Sequence, residues 1–95
     1  MRESTIEKYL VKRVAESGGI AEKFVSPGRK NVPDRICQWM GFLDFVEVKA
    51  PGVKPKEAQL RDHVLRLRLG HEVWVIDSKE SVDKYINYCL RREFQ

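Results

Sequence analysis

The sequence predicts an α/β sandwich with a mixed sheet, in the order α-β-β-β-α-β-α. Three observations predict it. Apolar residues recur at helical spacing in three stretches, at Ile6/Leu10/Val14, Leu60/Val64/Leu67 and Val82/Tyr85/Ile86/Cys89. Short runs rich in β-branched and aromatic residues lie between them. Glycine and proline mark the breaks, at Gly18-Gly19, Pro27-Gly28, Gly41, Pro51-Gly52 and Gly70.

Each element follows in turn. The first helix is expected from Glu3 to Ser17, with Val11 at the edge of its stripe and Gly18 as a C-terminal cap. Ile20 to Val25 reads as a short strand. Arg35–Met40 and Leu43–Lys49 read as a hairpin turning at Gly41 and Phe42, which puts Asp34 near the level of Lys49. Lys56 to Leu69 is helical, with Leu60, Val64 and Leu67 on the face expected to be buried, and Gly70 ends it. Val73–Asp77 is nearly all apolar, as in a strand covered on both faces. Ser78 can cap a last helix.

Ninety-five residues make one domain, 1–95, with one small core. No window is apolar enough to span a bilayer, and the charged N-terminal segment is not a secretory signal, so a cytoplasmic location is expected. Cys37 and Cys89 sit in apolar patterns, and with His63 and His71 they lack the paired spacing of a zinc site; buried reduced thiols are expected instead. The net charge of +4 suits a polyanion partner. Basic residues cluster at Arg29-Lys30, Lys54/Lys56, Arg61/Arg66/Arg68 and Arg91-Arg92, although any one cluster equally describes a solvated face.

The chemistry lies in polar residues out of place. Along Leu43–Lys49, alternation puts Phe45, Glu47 and Lys49 on one face and Asp44, Val46 and Val48 on the other. A carboxylate and an ammonium within an apolar strand are costly unless paired or used. Taken alone, Glu47 and Lys49 fit an ion pair at a strand end. Asp34 changes that, because the hairpin brings it toward Glu47, though an Asp after Pro33 also suits a plain turn. Two converging carboxylates suit a hard cation such as Mg2+. A lysine beside them can orient water or neutralise charge on a phosphate. Glu3 and Glu7 both border the apolar stripe of the first helix, and either can reach such a cation. Gln59, near the start of the second helix, can bond to Lys49 or to a phosphate.

The ordered series Glu7, Pro33-Asp34, Glu47-Val48-Lys49, Gln59 resembles the virus-type replication-repair nuclease (VRR-NUC) domain of the PD-(D/E)XK superfamily. The surrounding segments Lys23-Phe24-Val25-Ser26-Pro27-Gly28, Val32-Pro33-Asp34-Arg35 and Val46-Glu47-Val48-Lys49-Ala50-Pro51-Gly52 are similar to the family pattern too. The likeness runs from Glu3 to about Val82. One departure is Asn31, where the family usually has glycine before Val-Pro-Asp. Asparagine tolerates the left-handed conformation, so the turn is expected to persist.

The resemblance implies a restriction-endonuclease-like core and a nuclease dependent on Mg2+ or Mn2+. It makes Asp34, Glu47 and the Val48 carbonyl metal ligands and Lys49 the catalytic lysine. Glu7 becomes the helix carboxylate, reaching the metal directly or through water, and Gln59 the accessory glutamine. Glu7-Lys8-Tyr9-Leu10 also resembles the E-R-x-L of archaeal junction resolvases. Small free-standing members resemble phage-encoded homodimers that cut branched DNA such as four-way (Holliday) junctions in the bacterial host. Arg29, Lys30, Arg35, Lys54 and Lys56 are the expected DNA contacts. Tyr85, Tyr88, Leu90 and Phe94 are candidates for a dimer surface. Competing expectations are a nicking or flap nuclease, a DNA-binding module without catalysis, and a protein-interaction domain.

Overall fold

Period and punctuation produce seven elements in the computed structural model, which describes residues 1–92. They are α1 (Glu3–Glu16), β1 (Ile20–Lys23), β2 (Arg35–Trp39), β3 (Phe42–Val48), α2 (Glu57–Arg68), β4 (Glu72–Ile76) and α3 (Lys79–Arg92). The strands form one sheet in the order β1-β2-β3-β4. The first three run antiparallel, and β4 joins β3 in parallel. Among the described residues no helix is long and apolar enough to cross a membrane.

The core fills one face of the sheet. Ile6, Leu10 and Val14 of α1 and Val82, Tyr85, Ile86 and Cys89 of α3 are fully buried with Val46, Val48 and Ile76. The two helices are also tied to each other: the Tyr9 hydroxyl (2.7 Å) and Arg13 Nε (3.2 Å) both donate to Asp83. Tyr85 is thus a core residue, not a surface for a partner. Tyr88 and Leu90 are half-buried against the same core, and Phe94 lies outside the described residues. Cys37 and Cys89 are buried free thiols, and burial pushes both up to about 12.

Three expectations need correction. The hairpin turns one residue earlier, with Trp39 opposite Phe42, Met40-Gly41 in the turn and Gly41 at φ 80°, which slips the register by two. A two-residue slip preserves the faces, because side chains alternate with period two. It moves Arg35 opposite Val46, so Asp34 stands beside Glu47 and Val48 rather than at the level of Lys49. Second, α2 turns the other way. Leu60, Val64 and Leu67 are 48%, 46% and 53% exposed, while Asp62 and His63 are buried. The sheet face beneath α2 carries Glu47 and Lys49, and a polar helix face is what those groups can bond to. Third, β4 is an edge strand, with Val75 exposed.

On the core face of β3, Asp44 is buried against the last turn of α3. Arg92 grips it through both terminal nitrogens at 2.8 Å, and the Tyr85 hydroxyl donates to it at 2.6 Å. The Trp39 indole N–H donates in turn to that hydroxyl at 3.0 Å. Removing one partner of such a pair strands a charge in the interior. Arg92→Ala is therefore expected to lower stability by about 3–5 kcal/mol. Urea unfolding should show this as a lower midpoint at unchanged slope; a shift under about 1 kcal/mol would place the pair among weak surface bridges.

Candidate active site

The loop from Phe24 to Asp34 is closed at its base, where the Phe24 N–H donates to the Asp34 carbonyl at 2.9 Å. Asn31 takes φ 64°, the left-handed conformation that its family-typical glycine would supply, and Pro33 is buried behind it. This delivers Asp34 to the head of β2. Its Oδ2 accepts the Val48 N–H at 2.7 Å, so the carboxylate is fixed to β3 by the backbone itself.

Glu47 points from β3 toward α2 and is 1% exposed. Its Oε1 lies 3.3 Å from His63 Nε2, and its Oε2 lies 3.4 Å from Gln59 Nε2 and 3.8 Å from Lys49 Nζ. Gln59 is held by its own Oε1, which accepts the Lys56 N–H at 2.8 Å. Burial, and then the neighbouring Asp34 carboxylate, push the Glu47 carboxyl up to about 8, and Lys49 offsets only part of this. Burial lowers the His63 pKa, with Asp62 opposing. The ring is therefore neutral at pH 7, and against an ionised Glu47 its Nε2–H tautomer donates.

Asp34, Glu47 and Lys49 thus meet as the sequence implied. Gln59 joins them, but through Glu47 rather than Lys49. Glu7 does not point at the cluster as a free carboxylate: its Oε2 accepts from Arg35 Nε at 2.8 Å. Of the two helix glutamates, Glu3 is the one whose charge adds to the upward push on Glu47. Arg35, expected on DNA, is instead held by Glu7 and by the Ala21 carbonyl at 3.3 Å. Arg29 reaches Asp62 at 3.2 Å and stays half exposed, while Lys30, Lys54 and Lys56 are exposed. His63 was missed, having been weighed only as a zinc ligand. The available signal was its place four residues after Gln59, on the same helix face.

The donor set fits a divalent cation of the Mg2+ type. Two carboxylates converge, and Asp34 raises the proton affinity of Glu47, a repulsion that a bound cation would relieve. Among the described residues no group of three His, Cys, Asp or Glu is placed to hold a metal ion, so the side-chain donors are the two carboxylates alone. A sparse set of oxygen ligands suits an ion that keeps several waters.

No family model matches the chain. It is 54% identical over 81 residues to "Putative nuclease p44" of Acyrthosiphon pisum secondary endosymbiont phage 1, a match covering 84% of this chain and 87% of that protein. Among solved structures it is similar to a VRR_NUC domain at a TM-score of 0.84 and 33% identity, covering 92% of this chain and 97% of that one. The chain belongs to the VRR-NUC family. It is a nuclease of the restriction-endonuclease-like fold, and the Asp34/Glu47/Lys49 cluster of this VRR-NUC domain is its candidate active site. A cavity of about 340 Å3 lined by Phe42, Asp44, His71 and Arg92 lies at the other end of β3, away from that chemistry.

The raised pKa makes a prediction of definite sign. The protonated form of Glu47 stabilises the fold fully below the unfolded carboxyl pKa of about 4.3 and loses that contribution as pH rises through about 8. In EDTA, the melting temperature of the wild-type protein should fall between pH 5 and pH 9. Glu47→Gln should flatten the fall and melt higher than wild type at pH 9. Parallel curves would show that another group controls the titration.

Proposed function

We propose that this nuclease is an endodeoxyribonuclease dependent on Mg2+ or Mn2+ that hydrolyses phosphodiesters in branched DNA, four-way junctions above all, as a homodimer in the cytoplasm of a bacterial host. The observation that carries the reading is a buried glutamate pressed against a second carboxylate, with a lysine ammonium 3.8 Å away. A plain DNA binder gains nothing from two acids set toward a polyanion.

Asp34, Glu47 and the Val48 carbonyl would hold the cation, which supplies positive charge for the phosphate and acidifies water. The chain's own groups do the rest. Lys49 offers its Nζ as a donor to the phosphate oxygens as negative charge builds there. Gln59 and His63 fix the two oxygens of Glu47, so the carboxylate is already oriented when substrate arrives. Glu7 acts at one remove, by neutralising Arg35 and keeping that cation at the α1–β2 junction. Lys54 and Lys56 lie on the segment joining Lys49 to Gln59 and, with Lys30 and the half-exposed Arg29, supply the phosphate contacts.

A labelled four-way junction, a flap, a linear duplex and single-stranded DNA, each with Mg2+, Mn2+ or EDTA, test the reading. Fastest cleavage of the junction, lost in EDTA, is expected. Equal cutting of linear duplex would remove the junction preference and keep the nuclease. Lys49→Ala should slow cleavage by about 10²–10³-fold with binding nearly intact; binding lost with it would make Lys49 a phosphate anchor. Lys30→Ala should weaken binding to all substrates and reduce the salt slope by about 1, and an unchanged slope would take that loop off the DNA.

A further inference from the structure

Asp62 is a buried acid that the proposed hydrolysis does not use. It lies on the inner face of α2, and two guanidiniums share it. Arg66 Nε donates to its Oδ2 at 2.8 Å, and Arg29 Nη2 donates to its Oδ1 at 3.2 Å. The two arginines differ in what else holds them. Arg66 is 13% exposed, and its guanidinium lies over the rings of Phe24 and Phe45 at 5.0 and 4.5 Å. Arg29 comes from the loop that leads to Asp34 and is 52% exposed. Arg66 neutralises Asp62 in the interior, so one positive charge is left over, on the arginine that water reaches. Arg35 differs: Glu7 meets it one to one, and no such surplus remains.

Position is fixed as well as charge. Asp62 stands three residues after Gln59 and one before His63, the two α2 side chains that touch Glu47. Arg29 is therefore tied to α2 within one helical turn, about 5.4 Å along the axis, of the groups that hold Glu47. Phe24, at the base of the loop, packs on the same Arg66, so the loop is clasped to α2 at its start and at its middle.

We propose that Asp62 is a positioning residue for DNA recognition. It holds Arg29 at a set offset from the Asp34/Glu47/Lys49 cluster, so a substrate is selected by whether its backbone passes both points. The proposal rests on the branched-DNA reading above and names the residue through which shapes are told apart. Phosphate contacts carry no base sequence, but they fix register and orientation. A tethered arginine therefore responds to the course of the backbone, whereas a free one on the same loop would follow the phosphates of any duplex. Tethering also removes the ordering cost that a long side chain meets on binding. Only a backbone that reaches the tethered group gains from this.

Binding in EDTA tests the assignment apart from hydrolysis. The quantity to measure is the ratio of affinities for a four-way junction and a linear duplex of equal length at one salt concentration. Removing an acid strengthens binding to every DNA through charge, and the ratio cancels that gain. Asp62→Asn leaves one oxygen, which the more buried Arg66 retains, and frees Arg29. It should lower the ratio by about three- to tenfold. Should Asp62→Asn fail to fold, Asp62→Leu/Arg66→Met frees Arg29 in the same way, because apolar residues of similar volume commonly replace a buried ion pair without loss of the fold. Arg29→Ala should lower the ratio as much, and adding it to the Asp62 variant should lower it no further, since both act through one contact. Lys30→Ala, at the exposed neighbour, should weaken both substrates alike and keep the ratio. A ratio unchanged in Arg29→Ala, or in a folded Asp62 variant, overturns the assignment. So do losses that add in the combined variant, which would leave Asp62 a structural residue alone. In each case a wild-type preference for the junction keeps the branched-DNA reading. Wild-type protein that binds both shapes equally, or neither, overturns the two together, and cleavage in Mg2+ then decides separately whether the chain cuts DNA.

Discussion

A carboxylate near the end of an interior strand, with almost none of its surface in water, has to be solvated by the protein around it. Glu47 is in that position, and the layer above the sheet is arranged to serve it. His63 takes one oxygen, Gln59 the other, and Lys49 stands beyond. These partners leave the charge unbalanced, because Asp34 is fixed alongside by the Val48 N–H. An ordinary stability-driven arrangement would remove one acid. Keeping both costs the fold something, and it is a cost that the proposed cation would relieve.

The strand beneath is used from both sides. Toward α1 and α3 it contributes Val46 and Val48 to the core, and Asp44 to the clasp with Arg92. Toward α2 it presents Glu47. One strand therefore carries a bidentate buried ion pair on its core face and a repelling acid pair on the other. That ion pair acts through the last turn of α3, so the strand bearing the candidate active site is secured by a residue 48 positions further along the chain. Arg92 also lies over the Phe42 ring at 4.2 Å, which ties the hairpin turn to the same anchor.

Much of this was legible in the sequence, for identifiable reasons. The stripes of α1 and α3 were readable because those helices pack on an apolar sheet face, so local period and tertiary burial agree. The site core was readable because a hairpin turns the neighbourhood of Asp34 and Glu47 into a matter of chain geometry, and the family pattern names the same residues. Periodicity fails for α2 because it shows which side of a helix is apolar and not which side the rest of the protein occupies. The polar face of the sheet decided that. Contacts between distant elements were equally hidden. His63 is 16 residues from Glu47, Glu7 is 28 from Arg35, and Arg92 is 48 from Asp44, separations at which no local spacing rule operates. These are the partners that took Arg35 off the expected DNA surface.

The closed base of the loop between β1 and β2 has a consequence for how this nuclease can change. The bond from the Phe24 N–H to the Asp34 carbonyl and the bond from the Val48 N–H to the Asp34 side chain hold the carboxylate where Asn31 and Pro33 deliver it. Lengthening a surface loop whose ends are already joined adds little conformational entropy cost, since that cost grows only with the logarithm of loop length. The exposed part of the loop around Arg29 and Lys30 can therefore lengthen without displacing the acid, so long as Asn31 and Pro33 still lead into it. Divergence in the proposed DNA contacts can proceed there while the cluster of Asp34, Glu47 and Lys49 stays constant.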